Sequence, residues 1–350
     1  MPPKEVSKKV DPAAKKKAQI DAKLRKKLGE GAVSEALPDP KFWYRTGNPA
    51  LDVAISGKVG MGFPAGRICE IYGNENVGKT TLGATVMREA QKAGALAYMI
   101  DTESTFRTSR AKTLGVDMEH FTYLHLGYME PILDGIDSII TDAGDQKIVV
   151  FWDTIAGTPS QAERGRAIGE MPLGLHARAL SQGFRKFATK LAHTSVLVLC
   201  CNQLKVGDVT NRFATERDRD STLGGSAIRF HADVRIKMTF QKTSYDKDKK
   251  PIGFLVTAKV VKSKGGPDQV KCKLVFRREG GGRFDVPLSV LHTLALWEGF
   301  SIENVKIPCG DEKITVGTFV NRYKTDAKFV AEQHRRLEAA YIRENKRNEG

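Results

Sequence analysis

The stretch GNENVGKTT, residues 73–81, constrains this chain more than any other, because it fits the spacing GxxxxGK[ST] between two different patterns. The run before it, ICEIYG (68–73), is short and apolar like a strand, and the run after it, TTLGATVMREAQKAG, has helical periodicity. A strand, a glycine-flanked turn and a helix start, in that order, point successive backbone N–H groups and the positive end of a helix at one anion. Gly73 and Gly78 let the backbone curl, and Asn74, Glu75, Asn76 and Val77 fill the turn between them. Lys79 is then placed to bridge the β- and γ-phosphates of a nucleotide and the Thr80 hydroxyl to ligate Mg2+, with Thr81 next in line.

The rest of the chain supplies the scaffold such a loop needs. LAYMID (96–101), FTYLHL (121–126), IVVFWD (148–153) and SVLVLCCN (195–202) are further strand candidates separated by amphipathic stretches, the rhythm of a parallel sheet covered by helices. After residue 230 the pattern changes to near-alternating runs, HADVRIKMTF, GFLVTAKVVK and QVKCKLVFRR, which predict an antiparallel extension. The expected class is α/β: a mostly parallel twisted sheet flanked by helices, an antiparallel extension and a small C-terminal α+β module. The expected divisions are a basic extension at 1–34, a core at 35–287 and the module at 288–350, ending in a charged helix.

Three polar positions close apolar strands on the side where open α/β sheets bind ligands. Asp153 ends the most apolar run and is suited to the magnesium shell as a second ligand beside Thr80. Glu103, in MIDTEST, is a candidate to activate water, although Asp101 lies two residues away. Gln203, or its neighbour Asn202, is a candidate to hydrogen-bond the γ-phosphate and pass its presence to the following segment. Two long polar loops follow these rims, at 156–174 and 205–225, and loops of that length in a compact core are usually functional.

The formal net charge of +15 suits a partner with a phosphate backbone or an anionic surface. Much of the surplus is local, since residues 1–32 hold ten Lys/Arg against four Asp/Glu, in a segment that is either a helix with a basic face or a disordered arm. No run approaches the roughly 18 apolar residues of a membrane span, so no membrane partner and an intracellular setting are expected. The five cysteines show neither CxxC nor CxxH spacing and read as small buried hydrophobes. Lys262 and Lys264, in KVVKSKGGP, alternate at a strand end and so share a face, either as solvated charge or aimed at a ligand.

The order of these motifs resembles the RecA family of recombinases, including its phage UvsX-type members, over roughly residues 42–340. GFPAGRICEIYGNENVGKTTL is similar to the family's opening strand and phosphate loop, DTE to its glutamate motif, IVVFWDT to its magnesium-binding strand, and CNQL with GGSAIRFHADVR to its sensor glutamine and second DNA-binding loop. The resemblance implies an ATP- and Mg2+-dependent, DNA-stimulated ATPase that polymerises on single-stranded DNA as a helical filament and pairs it with double-stranded DNA. It implies a cytoplasmic setting, in a bacterium or in the host of a phage, with single-strand-binding and mediator proteins as candidate partners. It assigns water activation to Glu103, nucleotide sensing to Gln203, and contact with a neighbouring subunit's ATP to Lys262 and Lys264. It assigns DNA contacts to Gly174, Arg178, Arg185, Arg212, Gly224 and Gly225, and a subunit interface to Arg229 and Phe230. Two departures stand out. Arg110 occupies the position where the family stacks a Tyr on adenine, and the chain ends basic, with eight Lys/Arg against five Asp/Glu from residue 321, where many members end acidic. Two other functions remain open on the residues alone: a ring-forming motor of the same fold such as a helicase, and a nucleotide-gated DNA-binding scaffold.

Overall fold

A computed structural model of the chain describes residues 11–29, 39–163, 174–204, 222 and 225–348. The chain divides into two units, residues 1–39 and residues 40–350. The first contains helix α1 (Pro12–Leu28), capped by the Asp11 side chain on the Ala13 N–H and closed by Arg25, Lys26 and Lys27 in its last turn. Basic residues there complement the negative end of the helix dipole. Ile20 and Leu24, one turn apart, are exposed on its surface.

In the second unit a short antiparallel pair, β1 (Trp43–Tyr44) and β2 (Phe63–Pro64), flanks α2 (Pro49–Ser56). Alternating strands and helices follow: β3 (Arg67–Gly73), α3 (Lys79–Lys92), β4 (Leu96–Asp101), α4 (Thr108–Thr113), β5 (Phe121–Leu124), α5 (Met129–Asp142), β6 (Ile148–Asp153), α6 (Leu175–Leu191), β7 (Val196–Gln203) and α7 (Ser226–His231). Next come the long hairpin β8 (Val234–Tyr245) and β9 (Pro251–Ser263), then β10 (Lys271–Arg277), β11 (Arg283–Asp285) and α8 (Val286–Glu298). The chain closes with the hairpin β12 (Ile307–Cys309) and β13 (Glu312–Ile314), α9 (Val316–Thr325) and α10 (Ala327–Asn348).

Nine strands form one sheet in the order β11-β10-β9-β8-β3-β7-β6-β4-β5. The ladders from β8 through β5 are parallel, and those from β8 to β11 are antiparallel. Every residue of β3 and β6 is buried because helices cover both faces, which is why these strands read as mainly apolar, with Glu70 the charge inside β3. One face packs against α2, α3 and the C-terminal helices, with Phe151, Ile71 and Trp297 in its core. The other packs against α5, α6 and α7 through Trp152, Phe184 and Phe187. Close contact decides one residue of α3: a Cβ on Gly83 would sit 2.2 Å from the Phe151 ring.

Parallel pairing aligns the strand ends that matter. Gly73 lies opposite Gln203, and Asp101 lies opposite Asp153, so the carboxyl ends of β3, β7, β4 and β6 share one rim.

Candidate functional site

The phosphate loop sits at that rim. Gly78 has a φ of 90°, a left-handed conformation that disfavours any side chain, and it hands directly into α3. No side chain caps α3, so its first N–H groups remain available to an anion. Gly73 is required for a different reason from the curl expected of it: a Cβ there would lie 2.2 Å from the Met238 carbonyl oxygen of β8. Lys79 Nζ donates to the carbonyls of Asn74 (2.7 Å) and Gly73 (3.1 Å), folded over the loop it serves. Thr80 Oγ1 donates to Asp153 Oδ2 at 2.5 Å. Glu75, Asn76, Gly78, Lys79, Thr80, Thr81 and Asp153 share one cavity of about 900 Å3.

Glu103 and Gln203 line the same cavity, and their side chains meet: Gln203 Nε2 donates to Glu103 Oε1 at 3.0 Å. Asp101 serves the local backbone instead. It is buried and accepts from the N–H groups of Glu103 (3.1 Å) and Phe106 (2.7 Å) and from the Tyr123 hydroxyl (3.0 Å). Asn202 points the other way along β7, donating to Glu70 Oε1 at 2.9 Å inside the sheet. Burial raises the pKa of Glu103, and the charge of Asp153 raises it further, which makes this carboxylate a better proton acceptor. Burial also raises the pKa of Asp153, opposed by its bond to Thr80. A buried carboxylate and an adjacent hydroxyl are hard oxygen donors, and Mg2+ binds through one or two carboxylates together with substrate phosphates, so the pair fits that ion.

The cavity also has walls that the sequence did not announce: Phe254, Phe276 and Arg278, from the antiparallel extension. Phe254 and Phe276 stack with ring centroids 4.5 Å apart, and Phe284 packs edge-on against Phe276 beneath Gly78. The cross-strand register 254–276–284 is the signal that places them together, and it is readable only once β9, β10 and β11 are aligned. A second cavity of about 520 Å3 shares Thr80, Thr81 and Thr105 with the first and holds Arg110 on its wall. The Arg110 guanidinium donates to Thr81 Oγ1 (3.0 Å) and to the Gly282 carbonyl (2.6 Å), tying α3 to the turn before β11.

Gly174 is the left-handed residue at the start of α6, and Arg178 and Arg185 are exposed on that helix two turns apart. Gly225 opens α7 with a φ of 62°, and a Cβ on it would meet Ala177 of α6 at 3.2 Å, so the described end of the second loop lies beside the start of α6. Arg212 and Gly224 lie outside the described residues. Phe230 is 74% exposed on α7, next to half-buried Arg229. Lys262 and Lys264 are not on the nucleotide cavity's wall. Lys262 Nζ donates to the carbonyls of Arg229 (2.6 Å) and Phe230 (3.1 Å), while Lys264 pairs with Asp233 at 2.7 Å. Burial pushes the Lys262 pKa down to about 8, with the charge of Lys264 adding to the effect.

The sequence profile of the RecA N-terminal domain matches residues 18–278. The chain belongs to the RecA family. Protein RecA of Leptospira biflexa is 31% identical over 311 residues, covering 85% of this chain and 78% of the relative. Protein RecA of Nitratiruptor is 32% identical over 305 residues, 84% of each chain, and that of Thermotoga maritima is 33% identical over 264 residues, 73% of this chain and 71% of the relative. This RecA-family chain is accordingly a DNA recombinase and a DNA-dependent ATPase, and the helicase and scaffold alternatives are not favoured. Among the described residues no helix is long and apolar enough to cross a membrane.

Proposed function

We propose that the chain binds ATP with Mg2+ at the phosphate loop and assembles on single-stranded DNA as a helical filament that pairs it with duplex DNA. A cytoplasmic setting belongs to the same reading. The observation that carries it is the Glu103–Gln203 contact, 3.0 Å, over the cavity that also holds Lys79, Thr80 and Asp153. In this reading the N–H groups of residues 74–78 and the start of α3 hold the β-phosphate, and Lys79 swings from its carbonyl partners onto the β- and γ-oxygens. Thr80 and Asp153 would hold Mg2+, which when bound would supply positive charge to the phosphates. Glu103 accepts a proton from water as its oxygen attacks the γ-phosphorus and the bond to the β-phosphate oxygen breaks.

Gln203 exchanges its Glu103 partner for a γ-phosphate oxygen. Lys262 and Lys264 supply positive charge to the nucleotide of the next subunit, whose packing involves Arg229 and Phe230. Gly174, Arg178, Arg185 and Gly225, with Arg212 and Gly224, hold the DNA backbone, so affinity falls steeply with salt. Arg278 gives a specific alternative for the second cation, within one chain, because it lines the cavity itself. Electron microscopy with single-stranded DNA and a non-hydrolysable ATP analogue tests the assembly: helical filaments are expected, and closed rings alone would contradict it.

A further inference from the structure

Beneath the phosphate loop, β3 carries a carboxylate where its neighbours are apolar. Glu70 is fully buried, and directly opposite it on β8 is Arg235, 6% exposed. Glu70 Oε2 meets Arg235 Nε at 2.5 Å. The guanidinium lies 4.7 Å from the Tyr72 ring centroid, and Nη2 reaches Thr222 Oγ1 at 3.5 Å. Desolvating two charges is expensive, and well-packed apolar residues in place of such a pair are often no less stable, so its presence in the middle of a sheet points to a role other than holding the strands together.

The partners of this pair connect two sites. On one side, Asn202 Nδ2 donates to Glu70 Oε1 at 2.9 Å, while Asn202 Oδ1 accepts the backbone N–H of Gln203 at 2.9 Å. Gln203 in turn holds Glu103. On the other side, Arg235 lies opposite Lys262 across β8 and β9, beside a bulge in that ladder. The charges of Arg235 and Glu70 both act on Lys262, though less than burial does. Hydrogen bonds and an ion pair therefore link the rim of the chain's own nucleotide cavity, through Gln203, Asn202 and Glu70, to Arg235, and the β8–β9 ladder places Arg235 opposite Lys262. Networks of this kind respond as units in a low-dielectric interior.

We propose that Asn202, Glu70 and Arg235 are positioning residues that make the placement of Lys262 depend on the nucleotide held by the same chain. When Gln203 leaves Glu103 for a phosphate oxygen, its backbone moves against Asn202, Asn202 changes its hold on Glu70, and Arg235 shifts beside the bulge that sets Lys262. Occupancy of one site thereby prepares the cation delivered to the next. The inference rests on the reading that Lys262 and Lys264 serve a neighbour.

The kinetic consequence is a sigmoidal dependence of turnover on ATP, because each site works best when the adjoining chain is also filled. The test measures the Hill coefficient for ATP hydrolysis in filaments on single-stranded DNA, for the native chain, for a Glu70→Leu, Arg235→Met double variant, and for Asn202→Ala. The last leaves both charges of the ion pair in place while removing the amide that joins them to Gln203, so it remains informative if the double variant fails to fold. Both variants are expected to bring the Hill coefficient close to one while kcat at saturating ATP falls less than about threefold. An unchanged Hill coefficient in Asn202→Ala overturns the proposal. Failure of the underlying reading shows separately, as the absence of complementation between a Lys262→Ala, Lys264→Ala chain and a Glu103→Gln chain, which keeps both its lysine pair and its nucleotide.

Discussion

Glu103→Gln isolates one chemical property of the site. Glu103 Oε1 accepts from Gln203 Nε2 at 3.0 Å, and a glutamine carbonyl at position 103 accepts the same bond, so the contact with Gln203 survives. What is lost is a group that takes a proton from water. General-base catalysis contributes about 10²–10⁴ in rate, which at 1.36 kcal/mol per decade is about 2.7–5.4 kcal/mol of barrier. Nucleotide affinity has other sources, in Lys79, the loop N–H groups and the uncapped start of α3. Removing a carboxylate whose pKa is raised by burial and then by the charge of Asp153 also relieves repulsion in the cavity, so affinity should hold or improve slightly. The assay pairs steady-state phosphate release on saturating single-stranded DNA with equilibrium binding of a fluorescent ATP analogue. A kcat within threefold of native would remove Glu103 from the chemistry, and equal losses in binding and turnover would reduce it to a structural part of the rim.

Three further outcomes follow from particular contacts. The raised pKa of Glu103 sets the acidic limb of turnover above the ordinary glutamate value of about 4.3, since the base works ionised, while Lys262, at about 8 before it meets phosphate, sets a basic limb as its charge is lost. Lys262→Arg should push that basic limb upward, because a guanidinium keeps its proton, and an unmoved limb would free Lys262 of the assignment. Gly83→Ala drives a Cβ to 2.2 Å from the Phe151 ring, and overpacking of about 1–3 kcal/mol should lower the melting temperature by about 1–4 °C in calorimetry; an unchanged Tm would refute the packing argument. Arg278→Ala should raise KM for ATP with kcat largely kept, whereas a kcat loss equal to that of the double lysine variant would assign the second cation to the same chain.

Legibility in the sequence followed the range of the interactions involved. The phosphate loop and the parallel strands were readable because each depends on residues within one strand, turn and helix. Choosing Glu103 over Asp101 was not, because what occupies Asp101 includes Tyr123 from the neighbouring strand β5. Asn202 and Gln203 separate for a local reason, opposite faces of β7, but which face meets the rim depends on the Glu70 partner far away in sequence. Phe254, Phe276 and Arg278 reach the cavity only through the antiparallel register of β9, β10 and β11. Glu70 itself was visible as a charge inside the apolar run ICEIYG, and its meaning appeared with Arg235 opposite it. The helix α8, rich in apolar residues, packs on β10, and α10 packs on α8 and α2.

Mixing two inactive chains tests the shared nucleotide site most directly. A Lys262→Ala, Lys264→Ala chain keeps Glu103 and its phosphate loop, and a Glu103→Gln chain keeps the lysine pair and still holds its nucleotide. In a random equal mixture of head-to-tail assemblies about a quarter of adjoining pairs join a site that keeps Glu103 to an intact lysine pair. Turnover on single-stranded DNA should therefore recover to about a quarter of the native value when the chains are assembled together, and not when they are assembled separately and then combined. Mixed filaments that form normally yet show no recovery would contradict a site completed by the neighbouring subunit.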